Sequence, residues 1–199
     1  HQDIFTHELL SGKRRLNNKQ STFIKTELGT LPKDWSVKKL GQVCSVRGGK
    51  RIPKGASLES IDNGLPYIRV TDMTPLGIEA DNLMFVPKEV APQIHNYRIS
   101  KDDLYISVAG TLGLVGGVPE HLDGAFLTEN ADKLTSIMLN KEYLMYYMRY
   151  SKISTQIKSV TTVSAQPKLA LTRLREFFVA IPPEDEQIYI SEQISAQNE

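Results

Sequence analysis

Asp102-Asp103-Leu104-Tyr105-Ile106-Ser107-Val108-Ala109-Gly110-Thr111-Leu112-Gly113 is the stretch on which the fold turns. Residues 104–109, all but Ser107 apolar or aromatic, are bounded by turn formers, so they read as a strand. Gly110, Gly113, Gly116 and Gly117 then punctuate a turn and a return strand near 114–118. Working outward, Leu65-Pro66-Tyr67-Ile68-Arg69-Val70 reads as a strand with its proline near the start, and 134–139 as another. Asn140 is a candidate N-cap for a helix over 141–157, with Leu144, Tyr147, Met148, Ile153 and Ile157 as its buried stripe. A short helix is expected over 169–176 and a strand over 177–181.

The two ends read differently. Ile4, Phe5, Leu9 and Leu10 form a partial helical stripe over 2–11, and Gly12 is placed to stop it. Lys13-Arg14-Arg15 and the polar run Asn17-Asn18-Lys19-Gln20-Ser21-Thr22 then read as a linker. Leu31-Pro32-Lys33-Asp34-Trp35 is an opening turn with an aromatic anchor. At the other end, Pro182-Pro183-Glu184-Asp185-Glu186 marks a helix start. Proline suits a first turn because its missing N–H would be unpaired there, and three carboxylates complement the helix dipole. Helices and strands mix without a regular βαβ alternation, so the expected class is mixed α/β (α+β), a twisted mixed sheet with packed helices.

Composition limits the function classes. The chain has 199 residues, 40% hydrophobic and 24% charged, which is ordinary globular usage. A domain of this order buries roughly 68–70% of its unfolded surface, so no covalent staple is needed. The single cysteine, Cys44, cannot form an internal disulfide, in keeping with a reducing cytosol. No apolar run approaches the roughly 20 residues of a membrane helix, and no signal-peptide pattern is visible. The expected location is therefore cytoplasmic. The first residue is His1 rather than Met, which points to a chain that begins inside a longer gene product or follows processing.

Net charge is +1, but its distribution is uneven. Residues 35–58 hold Lys38, Lys39, Arg47, Lys50, Arg51 and Lys54 with no acidic residue. Residues 143–175 hold Arg149, Lys152, Lys158, Lys168, Arg173 and Arg175, again with none. All 23 carboxylates fall in the remainder. Local positive fields of this kind suit phosphate binding, whatever the total charge; the bland alternative is two solvated faces. Arg47 to Lys54 interleaves four cations with glycine and proline, a loop able to approach DNA closely. Arginine and lysine can pair with guanine, and asparagine and glutamine with adenine. The candidate DNA contacts are Arg47, Lys50, Arg51 and Lys54, then Arg69, Thr71 and Asp72 at a strand end. Thr111 among its glycines, and Ser164, Gln166 and Lys168 in a polar acid-free loop, complete the set. Tyr143, Tyr146, Tyr147 and Tyr150 could stack on bases, but at helical spacing they read as packing residues.

Enzyme readings find little support. His1, His7, His95 and His121 are scattered, and no Cys/His cluster has zinc spacing. The glycines from Gly110 to Gly116 match neither a dinucleotide fingerprint nor a P-loop. No Glu-x-Lys or Asp-x-Lys occurs, so the usual nuclease lysine pairing is absent. Ile181-Pro182-Pro183-Glu184 lacks the leading Asn or Asp and the trailing aromatic of an adenine methyltransferase site.

Several segments match one family pattern in order. Leu28-Gly29-Thr30-Leu31-Pro32-Lys33-Asp34-Trp35 followed by Lys39-Leu40-Gly41-Gln42-Val43 resembles the start of a target-recognition domain of Type I restriction-modification specificity subunits. Tyr67-Ile68-Arg69-Val70-Thr71-Asp72-Met73 is similar to their early strand, and 102–113 to their glycine-bearing hairpin. Gln166-Pro167-Lys168-Leu169, then Phe178-Val179-Ala180-Ile181-Pro182-Pro183 with Glu186-Gln187, resembles their exit into a helix. The resemblance implies a non-catalytic subunit that reads one half of a split double-stranded DNA target. It also implies partners, a methyltransferase (M) subunit and a restriction (R) subunit, which would supply S-adenosylmethionine, ATP and Mg2+ chemistry; no cofactor is expected in this chain. By the same resemblance, 1–16 would end one spacer helix, 17–34 link, 35–182 recognise DNA, and 183–199 begin the next spacer helix. Ile190 and Ile194 would then face a partner. One recognition domain stands where the family has two, so a fragment and a half-subunit that forms a homodimer are alternatives. A second class of function is a recognition domain fused to a restriction-methyltransferase polypeptide, and a third is a basic protein-interaction scaffold.

Overall fold

The computed structural model describes residues 2–161 and 167–198. Its centre is the expected strand, observed as Leu104–Ser107, buried at every residue. Successive side chains of a strand point to opposite faces. Leu104 and Ile106 accordingly enter the largest apolar cluster, while Tyr105 enters a second cluster with Ile68, Ile99 and Leu127. The strand therefore belongs to a sheet covered on both sides. That antiparallel sheet has four strands in the order Val115–Gly117, Leu104–Ser107, Ala131–Thr135 and Ser45–Gly48. A second sheet joins Phe126–Leu127, Pro66–Ile68 and Met84–Phe85, with one parallel pair. The class is mixed α/β, as the residue pattern implied.

Among the described residues, five α-helices accompany the sheets: α1 (Gln2–Leu10), α2 (Lys141–Arg149), α3 (Ser151–Val160), α4 (Leu171–Leu174) and α5 (Glu184–Asn198). Gly12 follows α1 at φ +70°, and a Cβ there would lie 2.4 Å from Pro32, so only glycine closes this helix against the opening turn. Asn140 caps α2 by accepting the Tyr143 backbone N–H at 2.8 Å.

Three expectations are corrected. The helix expected over 141–157 is two helices, broken at Tyr150, whose ψ is 149°. The cause is visible in the stripe. After Tyr143, Leu144, Tyr147 and Met148, an unbroken helix would turn Ser151 and Lys152 inward. The break resets the phase so that Ile153 and Ile157 are buried instead. The strand expected over 134–139 runs over Ala131–Thr135, and the left-handed Ser136 (φ 51°) ends it. The segment 17–34, expected to link, contains a hairpin, Phe23–Thr26 paired with Gly29–Pro32. Arg15, expected at the start of that linker, is buried.

The domain closes on itself at one place. Ser36–Lys39 pairs antiparallel with Phe178–Ile181, joining the two ends of the body. Next to it, Arg15 donates to both oxygens of Glu186 and both of Asp34, and the Trp35 indole N–H donates to Glu186 at 3.0 Å. α1 and α5 pack together there, with Leu9, Leu10, Ile190 and Ile194 in the main cluster.

Candidate nucleic-acid interface

Ser45–Gly48 is an edge strand, paired on one side with Ala131–Thr135. Val46 points into the core while Arg47 is exposed. Gly48 lies opposite Asp132. The chain then bends across the end of the second sheet. The Gly49 N–H bonds the Ala131 carbonyl at 3.0 Å, and the Lys50 N–H bonds the Leu127 carbonyl at 2.8 Å. A Cβ on Gly49 would stand 2.0 Å from the Thr128 carbonyl oxygen, which is why no side chain fits. The Tyr67 hydroxyl donates to the Lys50 carbonyl at 2.9 Å. Lys50 thus has a pinned backbone and an exposed ammonium, 5.7 Å from the centre of the Tyr97 ring.

The second basic stretch reaches the same place. The Arg175 guanidinium donates to the Val46 carbonyl at 2.9 Å, and the Arg175 carbonyl accepts the Gly41 N–H. Leu171 of α4 comes within contact of Gly48. Lys168 forms an antiparallel bridge with Ala109, and the next residue, Leu169, bonds the Val108 carbonyl. This sets Lys168 beside the turn that carries Thr111, whose bend uses Gly110 at φ +75° and Gly113 at φ +81°. Thr111 is exposed, and its carbonyl accepts from the Ser107 hydroxyl. Arg47 and Lys50 of the first acid-free stretch and Arg175 of the second, more than 100 positions apart, thus meet at the Ser45–Gly48 edge, with Lys168 by Ala109, while Arg149 of the second stretch donates to the Val115 carbonyl on the opposite edge strand.

Three carboxylates mark the limits of this surface. Arg51 donates to Glu129 at 2.6 Å, so its charge is partly spent within the fold. Burial tends to raise the Glu129 carboxyl, but hydrogen bonds, chiefly from Arg51, hold it below its usual value. Asp132 is buried beneath the strand, with one oxygen lacking any hydrogen-bond partner among the described residues. Burial pushes its pKa up to about 6, against the pull of Lys168 and Arg175. The third carboxylate, Asp72, is a correction. It is buried and accepts from the Arg69 backbone N–H, Nε and Nη2, while Arg69 Nη2 also donates to the Asn82 carbonyl. Asp72 is therefore committed to a local turn and is removed from the DNA-contact set. Thr71, between these two, stays exposed.

Lys54 sits at the tip of a turn closed by the Ala56 N–H on the Pro53 carbonyl, where Gly55 takes φ +92°. Ser164 and Gln166 lie outside the described residues. Ile190 and Ile194 are also corrected: at 0% and 4% exposure they fill this chain's own core and offer nothing to a partner. Tyr143 and Tyr147 are core residues, as their spacing suggested.

Two residues at the interface went unnoticed in the sequence. Asn96 and Tyr97 end the short 3-10 helix Ala91–Tyr97, which is anchored by buried Ile94. With Arg47, Gly48, Leu171 and Arg175 they line a groove of about 680 Å3 along the edge strand. One signal could have found them: residues 90–101 form a third acid-free stretch, with Arg98 and Lys101.

An antiparallel sheet covered on both faces, beside a smaller mixed sheet and with the two terminal helices packed together, has a counterpart among known proteins. The chain belongs to the Type I restriction modification DNA specificity domain family, whose profile it matches over residues 32–197. It is similar to the type I restriction enzyme MjaIX specificity subunit of Methanocaldococcus jannaschii, at 25% identity over 182 residues, covering 88% of this chain and 40% of that protein. It is also similar to the type I restriction enzyme EcoBI specificity subunit of Escherichia coli, at 22% identity over 184 residues, covering 87% of this chain and 38% of that protein. In fold it resembles the HsdS subunit of Thermoanaerobacter tengcongensis, with a TM-score of 0.68 and 21% identity, over 98% of this chain and 44% of that one. The chain spans about two fifths of the length of the curated relatives it matches.

Proposed function

We propose that this chain is a DNA target-reading module of a Type I restriction-modification specificity subunit. It reads one half of a split duplex target and catalyses nothing itself. The observation that carries the reading is the meeting of Arg47, Lys50 and Arg175 at the Ser45–Gly48 edge, with Lys168 beside Ala109 at the start of the neighbouring turn. Family membership supports it independently. Cations near phosphates set affinity and register, while side chains that reach base edges set sequence. Arg47, Lys50, Lys54 and Lys168 are the phosphate and base contacts of this reading, with Thr111 beside them. Methyltransferase and restriction subunits would dock on the helical ends and supply S-adenosylmethionine, ATP and Mg2+ chemistry. With Ile190 and Ile194 buried, that docking falls to the exposed faces of α1 and α5.

Titration of labelled duplexes with this chain plus the methyltransferase subunit tests the proposal. Affinity is expected to fall linearly on a log–log salt plot, with a slope near −0.9 for each phosphate neutralised. Failure of every duplex from a random pool to bind at low salt would sink it.

A further inference from the structure

The groove along the edge strand holds a side chain with no task in the fold. Asn96 is exposed and its carboxamide makes no hydrogen bond among the described residues. Its support is firm nonetheless. Pro92 stands at the start of the 3-10 helix, Ile94 is 2% exposed in a cluster with Tyr67 and Phe126, and Tyr97 packs against that cluster beside Lys50. Around it are Arg47, with no ion pair or side-chain hydrogen bond among the described residues, and Arg175, held by the Val46 carbonyl. A free amide on a braced backbone, in a groove with two guanidinium groups, is equipped to read a base edge between phosphate contacts.

We propose that Asn96 is a specificity-determining residue that recognises the major-groove edge of one adenine in the DNA half-site. A carboxamide presents one acceptor and one donor side by side, and adenine presents the matching N6 donor and N7 acceptor. Guanine offers two acceptors at the same positions, and pyrimidines do not offer the pair. Arg47 and Arg175 hold the duplex at the groove while Asn96 selects the base. This rests on the DNA-reading assignment and adds the base and the residue that reads it.

The test is selection of bound duplexes from a random pool by the chain with its methyltransferase subunit, for wild type, Asn96→Ala and Asn96→Asp. Wild type is expected to select an adenine that Asn96→Ala no longer selects, with discrimination there falling roughly tenfold or more. Asn96→Asp, an acceptor only, should move the preference at that position towards cytosine. Replacing that adenine by 7-deazaadenine should weaken wild-type binding and leave Asn96→Ala unaffected. If wild type selects no sequence, the DNA-reading assignment fails. If wild type selects a sequence that both variants select equally well, or if Asn96→Ala weakens all sequences alike, this inference alone is overturned. Thermal melting of the variants separates either result from misfolding.

Discussion

Arg15 and Glu186 lie 171 positions apart and form a buried, two-pronged ion pair, with side chains 2% and 4% exposed. Around it, Asp34 binds the outer face of the guanidinium and the Trp35 indole N–H binds Glu186. Burial works against the charged form of Arg15, but Glu186 and Asp34 outweigh it and drive the guanidinium pKa upward. The pair thus fixes where α5 leaves the domain relative to where the chain enters it.

Removing one partner of a buried pair leaves the other charge uncompensated, which typically costs about 3–5 kcal/mol. Arg15→Met and Glu186→Leu are each expected to destabilise the chain by that order in urea unfolding. The double variant should be less destabilised than the sum, because neither charge remains. Strict additivity of the two losses would refute a coupled pair.

Asp132 should make stability depend on pH in the direction opposite to an ordinary ion-paired carboxylate. Its folded pKa, about 6, lies above the unfolded value of about 3.9. The folded state therefore takes up a proton as pH falls from 7 to 4, and Asp132 contributes relative stabilisation on acidification. Asp132→Asn is expected to stabilise the chain by about 1–3 kcal/mol at pH 7.5, with the gain vanishing near pH 4. Chemical denaturation at both pH values measures it, and a gain that is the same at both would contradict the assignment.

The cations at the interface should not be equivalent. Arg47→Gln and Lys50→Gln should each lower the slope of log affinity against log salt by about 0.9. Arg51→Gln should do less, because Arg51 already pairs with Glu129 at 2.6 Å. Equal effects at all three positions would show that the Arg51 pair opens on binding.

Gly49→Ala should disturb fold and binding together. Its new methyl would meet the Thr128 and Leu127 carbonyl oxygens at 2.0 and 2.5 Å, which are backbone atoms of a sheet end. A cost of about 3 kcal/mol is expected, at the upper end of overpacking, with weaker duplex binding as Lys50 is displaced. A melting temperature equal to wild type would show that the sheet end yields.

Sequence alone determined what is local. The strand signal in 104–109, the Asn140 cap and the Pro182-Pro183 helix start depend on neighbours within a few residues, and the structure has a strand over Leu104–Ser107, the cap, and a helix from Glu184. The Tyr150 break was also legible, in a stripe that slips phase at Ser151 and Lys152, but only once the demands of the core were known. Tertiary structure decided the rest. Asp132 and Lys133 hid a central strand because charged residues argue against one, and only the facing Gly48 and nearby cations make it tolerable. Arg15 looked like linker charge because its partner stands at the far end of the chain. Ile190 and Ile194 were assigned to a partner by resemblance, and only the packing of α1 against α5 shows that this chain's own core covers them. Periodicity reports the environment a side chain needs; which distant residue supplies it is set only when the chain closes on itself.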